Sequence, residues 1–520
     1  MAYQLNREFY LAANVVKDKI LFWIDNEWLR FCIAKTMQDL YDCDLFAIID
    51  IRYTSKKFFQ EQQIVKFQKT WFYRDYISTM DHKINLEYLK YFEKTYKINL
   101  WEIAFAERFF YKYNPYYKFN GKEILSILER ECKLFENILN EIKPDYLIIK
   151  LTDSHQSNLM VQLCKAKGIK VLMMGPTRFA YRYDIYEDYD KTDPFLRDEK
   201  IISNKTFEEL QDYLKNYQAI KDVTSLEKRT KLTPGIRIKK YIQYLLLVGN
   251  KEFQNYYANY GKTKFSIISR LFFIRRPVRK RFIDKTFIRE ISSNEPFVYY
   301  PLHADPERSV LLVAPFYTNQ LELITHISRS LPVEYKLYVK EHPGMFEYAW
   351  RDISYYKKIL ELPNVRLVHP SVSSEDLLNK CSLAVTISGT TGLEAAFYNK
   401  PSLVFSDVSY SILSSVYRVK NVEELPHAIR LMLNKQVDLI ELNKYVQLAE
   451  KSFLKIKLAD LYLDFYDHFF NEFVNGFGIN ISEQKMIEFI ENYKIPLEEI
   501  TRAHIDKIMY YKKIDSKDRL

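Results

Sequence analysis

Between Lys336 and Asp407 this chain of 520 residues carries side chains suited to holding a phosphorylated ligand. His342-Pro343 closes the run KLYVKEHP, and Ser388-Gly389-Thr390-Thr391-Gly392 follows the run LAVTI. A short glycine- and hydroxyl-rich turn ahead of a helix offers free N–H groups and partial positive charge to an anion. Gly389 and Gly392 allow close backbone approach, and Ser388, Thr390 and Thr391 add hydroxyls. His342 can donate to a phosphate or a nucleoside, Pro343 stiffens its turn, and Lys340 flanks it. Strand alternation should send one of Lys340 and Glu341 into packing and the other to solvent. Glu394, one turn into the helix, can accept a ribose hydroxyl. Val368 and His369, at the end of VRLVH, can offer backbone groups to a base. Arg308 and Arg366 are possible forks for phosphate. Each residue also has a plainer role: a hydroxyl as helix N-cap, a histidine in packing, Glu394 as complement to the helix dipole, an arginine at the surface.

These residues sit where short apolar runs end. Leu337–Val339, Val365–Val368 and Leu383–Ile387 are each followed by a helix-like segment, so a parallel sheet is expected. Ligands of such sheets bind outside the carboxyl ends of the strands. Phe297–Pro301 begins this half, helix follows over Tyr317–Leu331 and Val422–Leu433, and one or two long helices are expected over Asp438–Phe470. Residues 481–512 read as a helical tail. The first half alternates too. Strands are expected at Lys19–Ile24, Asp44–Ile51, Tyr146–Leu151 and Ile169–Met174, with helices over Glu27–Leu40, Lys122–Ile142 and Asn158–Lys167. The chain thus divides into an α/β domain at 1–180, a helical, basic and aromatic connection at 181–294, a second α/β domain at 295–435, and helices at 436–520.

The strand end Asp153-Ser154-His155 offers a proton acceptor in the first half. Either Asp153 or His155 can fill that role, against a plainer reading of Asp153 as N-cap of the next helix. Glu102 and Glu107 are outlying candidates. The densest basic-aromatic run is RLFFIRRPVRKR, with Arg275, Arg276, Arg279, Lys280 and Arg281. It reads either as a solvated face with its aromatics packed inward or as a contact for an anionic membrane surface or an anionic acceptor. Nucleic acid is disfavoured, because no recognition fold accompanies the run.

Composition narrows the classes. Net charge is +10, aromatics reach 16%, and glycine is scarce at 11. An anionic partner is implied without choosing which. There is no GxGxxG and no Walker loop. No run approaches the roughly 20 apolar residues of a membrane helix, and the N-terminus lacks the apolar core of a signal peptide, so a cytoplasmic location is expected. Five scattered cysteines without a CxxC pair argue for reduced thiols rather than disulfides or zinc.

YPLHADPE (300–307), Gln320, VKEHP (339–343), PNVRL (363–367), SGTTGLE (388–394) and Lys400-Pro401 together resemble bacterial capsule and surface-polysaccharide glycosyltransferases of GT-B type. The Kdo-transferase and polysialyltransferase-like families are most similar. The resemblance implies two Rossmann-like domains facing a cleft. It puts the donor nucleotide on the second domain, at Lys340, His342, Pro343, Val368, His369, Glu394 and Ser388–Thr391. It puts acceptor and base on the first. It implies a nucleotide-sugar co-substrate, favoured as CMP-Kdo or another CMP-nonulosonate, a glycan or lipid-linked acceptor at the inner face of the plasma membrane, and no obligatory metal or cofactor. Ser-Gly-Thr-Thr stands where the family more often has Ser-Ser or Ser-Thr, which offsets the hydroxyls. A UDP-sugar transferase, a non-hydrolysing UDP-sugar 2-epimerase and a non-catalytic assembly scaffold are the alternatives.

Overall fold

The computed structural model describes residues 17–51, 55–77, 83–110, 117–188, 204–216, 257, 276–292, 295–305, 307–346, 351–470 and 481–517. Two sheets organise them. In the first, β1 (Asp18–Asp25), β2 (Cys43–Asp50), β3 (Lys69–Phe72), β4 (Tyr146–Lys150) and β5 (Lys170–Pro176) run parallel, and β6 (Arg182–Tyr186) is antiparallel to β5. The second is parallel throughout: β7 (Phe297–Pro301), β8 (Lys336–Lys340), β9 (Val365–Val368), β10 (Leu383–Thr386), β11 (Ser402–Val404) and β12 (Val416–Arg418). A short β13 (Leu454–Lys455) returns to pair antiparallel with β6.

The spatial orders are β13-β6-β5-β4-β1-β2-β3 and β12-β11-β10-β7-β8-β9. Both reverse direction at one point, between β1 and β4 and between β7 and β10. That is the doubly wound pattern, with its crevice at the reversal. The expected pair of Rossmann-like domains facing a cleft is therefore what the chain forms. The carboxyl ends of the two sheets approach each other. Arg308 Nε of the second domain donates to the Thr152 carbonyl just beyond β4. Ser409 Oγ donates to the Thr177 carbonyl beyond β5 at 3.3 Å.

Burial on both faces explains why these strands read as apolar runs rather than alternating ones. Ile20 through Ile24 and Leu147 through Ile149 are at most 2% exposed. The longest well-bounded helix, Gly121–Ile142, opens with a reciprocal Asn120/Glu123 capping box and lays an apolar stripe on the first sheet.

Packing moves the expected boundaries. Helix Phe207–Asn216 docks Leu210 into the second domain beside Phe179 and Phe397, so this part of the connection belongs there. So does the helix at 276–286, which buries Ile283. Ile288 continues from it as a one-residue bridge on β9. Helix Leu439–Ser452 also stays with the second domain, through Leu442, Tyr445 and Val446. The return to the first domain comes at β13. Beyond it, helices Leu458–Phe470, Glu483–Asn492 and Lys494–Lys517 bury Phe465, Met486, Phe489, Leu497, Ile500 and Ile508 against the first sheet and helix Leu29–Leu40.

An aromatic knot seals that return. Trp28 lies 4.7 Å from Phe59 and 6.1 Å from Phe465 between ring centroids. Trp28 holds a left-handed backbone, φ 61°, at the start of helix Leu29–Leu40. A non-glycine residue there costs on the order of 1 kcal/mol, which burial of its indole to 1% exposure offsets.

Four cysteines are buried and Cys43 partly so, and all five are free thiols. Among the described residues no helix is long and apolar enough to cross a membrane.

Candidate functional site

The second-domain crevice opens between β7 and β10. The chain leaves β10 at Thr386 and passes through Ser388 and Gly389 into helix Thr391–Phe397. Gly389 N–H donates to Thr386 Oγ1 at 3.1 Å, and Leu393 and Glu394 N–H both close on the Thr390 carbonyl. The N–H groups of Thr390 and Thr391 meet no acceptor among the described residues. They are therefore the donors this turn has left for an anion.

Packing demands glycine here, a more specific reason than close approach to a ligand. A Cβ on Gly389 would lie 2.7 Å from Thr386 Oγ1 and 3.2 Å from the His303 ring. One on Gly392 would lie 2.6 Å from the Tyr410 hydroxyl. Ser388 is fully buried. Thr390 Oγ1 donates to Glu394 Oε1 at 2.6 Å, so Thr390 and Glu394 engage each other. Burial raises the Glu394 carboxyl above the usual range, against the pull of Thr390 and of Lys340 nearby.

His303, just past β7, is the residue that sequence reasoning passed over. Its Nε2 accepts the Ile387 N–H at 3.2 Å and lies 3.0 Å from Thr386 Oγ1. The proton of the neutral ring therefore sits on Nδ1. Burial, then Arg178, His342 and Arg351, push this imidazole down to about 3. Gln320 clamps the His303 backbone at both its N–H and its carbonyl. Both residues lie in quoted motifs; only the strand order places them at the crevice.

His342 and Lys340 come from β8, the next strand. His342 Nδ1 accepts the Gly344 N–H at 3.1 Å, which leaves Nε2–H as the outward donor. Burial lowers its pKa, so it donates as a neutral ring. Pro343 opens the one-turn helix Pro343–Phe346 that carries Gly344.

Strand alternation misjudged the neighbours. Lys340 and Glu341 are both buried, at 5% and 0% exposure. Lys340 Nζ donates to Ser374 Oγ at 2.8 Å, and burial pulls its pKa down to about 8, with Glu394 opposing. Glu341 is ion-paired with Arg351 and accepts the Tyr356 hydroxyl at 2.6 Å. Arg351 also donates to the His303 carbonyl, so this buried pair braces the strand end.

Other expected contacts are elsewhere. Val368 and His369 end the edge strand β9, two strands from the reversal. His369 N–H donates to the Ile288 carbonyl at 2.9 Å, and its ring lies between Asp284 and Arg289 at 3.1 and 3.0 Å. Their backbone is spent on covering the sheet edge, which removes them as base contacts. Arg308 bridges the domains, and Arg366 sits 3.7 Å from Glu295 at the surface.

In the first domain, Asp153 stands at the crevice beyond β4. It is paired with Lys150 at 3.0 Å, with Arg108 at 3.9 Å. Ser154, not Asp153, is the N-cap of helix His155–Ala166. Lys150 also reaches Asp25 at 2.9 Å, and Asp25 pairs with Arg30. Across the cleft stands Glu307, whose carboxyl burial raises and Arg108 partly restores.

His155 is corrected as a proton acceptor. It is fully buried, with Nδ1 2.6 Å from Glu107 and Nε2 2.9 Å from Glu131. Although burial opposes it, the two carboxylates raise its pKa to about 10. It is an imidazolium with both nitrogens engaged. Glu107 is occupied by the same contact, and Glu102 is exposed on helix Leu100–Phe105.

The basic run divides. Arg275 lies outside the described residues. Arg279 is buried and paired with Asp352, while Phe282 packs inward. Arg276 is half-buried, and Lys280 and Arg281 are exposed. Among the described residues, no three His, Cys, Asp or Glu side chains are placed to hold a metal ion.

Residues 206–416 match the capsule polysaccharide biosynthesis protein family.

The matched segment starts where helix Phe207–Asn216 docks on the second domain and ends at β12, so it takes in all six strands of the second sheet. The resemblance to capsule-type enzymes holds over that segment. No curated protein matches the chain. Among solved structures, a UDP-GlcNAc 2-epimerase of Methanocaldococcus jannaschii is 12% identical, covering 84% of this chain and 99% of its own, with a TM-score of 0.25. KpsC of Thermosulfurimonas dismutans, a beta Kdo 2,7 transferase, is 14% identical over 67% of this chain and 87% of its own, with a TM-score of 0.30. Values this low carry no argument about reaction or substrate.

Proposed function

We propose that the protein is a glycosyltransferase of capsule or related surface-glycan synthesis. A nucleotide-activated sugar binds at the β7/β10 crevice and its sugar passes to a glycan acceptor lying against the first domain. One observation carries this reading. Lys340 and His342, with its Nε2–H, at the end of β8 and the open Thr390 and Thr391 N–H groups beyond β10 flank β7 at the carboxyl end of a sheet that lies in the segment matching the capsule family. Such donors stabilise a departing phosphate without a protein-bound cation.

In this mechanism the 388–392 turn and His342 hold the donor phosphate. Glu394, freed from Thr390 or alongside it, meets the ribose. Asp153 takes the acceptor proton as the acceptor oxygen attacks the anomeric carbon and the phosphate leaves. The Arg308–Thr152 contact holds the two half-sites at a fixed separation. Exposed Lys280 and Arg281 suit a loose contact with anionic lipid or an anionic acceptor at the inner membrane face.

The favoured donor is CMP-Kdo or another CMP-nonulosonate, on the strength of the motifs at 339–343 and 388–394. A thermal-shift series tests it. CMP should raise the melting temperature more than UDP at equal concentration. The reverse order would move the donor to a UDP-sugar.

A further inference from the structure

A cavity of about 570 Å³ lies at the carboxyl ends of β11 and β12. That is within the range of small-molecule sites, ~300–1,000 Å³. Leu323, Phe405 and Val419 are part of its lining. Phe405 joins it to the donor crevice, because its N–H donates at 2.9 Å to the carbonyl of Ile387, the residue before Ser388.

Phe316 stands at its rim, 92% exposed. A singly exposed apolar side chain is ordinary. This one is held out by its neighbours. Pro315 and Tyr317 flank it in a tight turn, the Tyr317 ring packs 4.8 Å from Phe405, and the Tyr317 hydroxyl donates to the Lys420 carbonyl at 3.3 Å. Around it the polar lining is Asn319, Glu322, His326, Arg418, Lys420, Asn421 and Glu423.

The charges of the lining are balanced. Arg418 is turned to Asp407 at 3.1 Å. Glu322 and Glu423 offset Arg418 and Lys420 in the lining, so it carries no excess of positive charge to draw in phosphate or acidic polymers. Carboxylates and amides accept and donate to hydroxyls, and an aromatic face receives the apolar side of a ring. We infer that this cavity is an accessory binding site for a neutral glycan segment, a hold for the polymer beside the donor crevice. The inference rests on the reading of the protein as a glycan-extending enzyme.

Calorimetric titration of the full chain with maltohexaose, cellohexaose, chitohexaose, hexagalacturonate and CMP tests it. At least one neutral hexasaccharide should bind saturably, and more tightly than hexagalacturonate. Phe316→Ala should weaken that binding about three- to tenfold, and Glu322→Gln about tenfold. Both variants should bind CMP as the wild type does, which also shows that they fold. Three results overturn the inference: no neutral hexasaccharide binds, hexagalacturonate binds more tightly, or neither substitution changes the affinity. CMP binding without saccharide binding removes this cavity and leaves the donor site standing. Saccharide binding that the variants weaken, without CMP binding, supports the cavity and removes the donor reading.

Discussion

Asp153→Asn is expected to lower turnover about 10²–10⁴-fold, the usual contribution of a positioned general base. Nucleotide affinity should hold, because the donor contacts lie on the other domain. The amide keeps the size of the carboxylate and loses the proton-accepting charge. Asp153 is part-exposed, so the fold should survive the change. Single-turnover transfer and nucleotide titration on the same preparation separate the two effects. Lys150 and Arg108 beside it hold the carboxylate in place. Full turnover in Asp153→Asn would move the base to Glu307 across the cleft, whose carboxyl burial raises above its ordinary range.

His155→Leu should destabilise the first domain by about 3–5 kcal/mol, the usual cost of removing one partner from a buried charge cluster. It leaves Glu107 and Glu131 buried without their cation. Adding Glu107→Gln and Glu131→Gln should recover much of that loss, which distinguishes an uncompensated charge from a packing defect. The pH dependence has a definite sign. The folded pKa, about 10, stands above the ordinary histidine value of 6.5. The contribution is therefore fully present below pH 6.5 and is lost as pH rises through about 10. Denaturant melts of the wild type between about pH 8 and pH 10 should show a loss of stability that the triple variant lacks. Parallel curves would refute the imidazolium.

Strands in the chain's two sheets were legible because burial on both faces leaves apolar runs, as at Phe297–Pro301 and Leu383–Thr386. The short strands β3, β6 and β12 were not, since partly exposed segments such as Lys69–Phe72 and Arg182–Tyr186 carry no such pattern. The strand ends pointed to the 388–392 turn and His342. They also pointed to His369, because a linear reading does not give strand order and so does not separate the reversal from the edge. His155 read as a base for a related reason: its partners Glu107 and Glu131 lie 48 and 24 positions away. Only the packed helices bring them to it. Arg279 entered a basic patch on composition alone, whereas the structure spends it on Asp352.

The most direct test of the donor site is titration of CMP, with UDP alongside, into the wild type and His342→Ala. The wild type should bind a nucleotide saturably. The variant should bind it about ten- to a hundredfold more weakly, the loss of one hydrogen bond to a charged group, with an unchanged melting temperature in the absence of nucleotide. Failure of the wild type to bind either nucleotide, or equal affinity in His342→Ala, would contradict a donor phosphate held at the β7/β10 crevice.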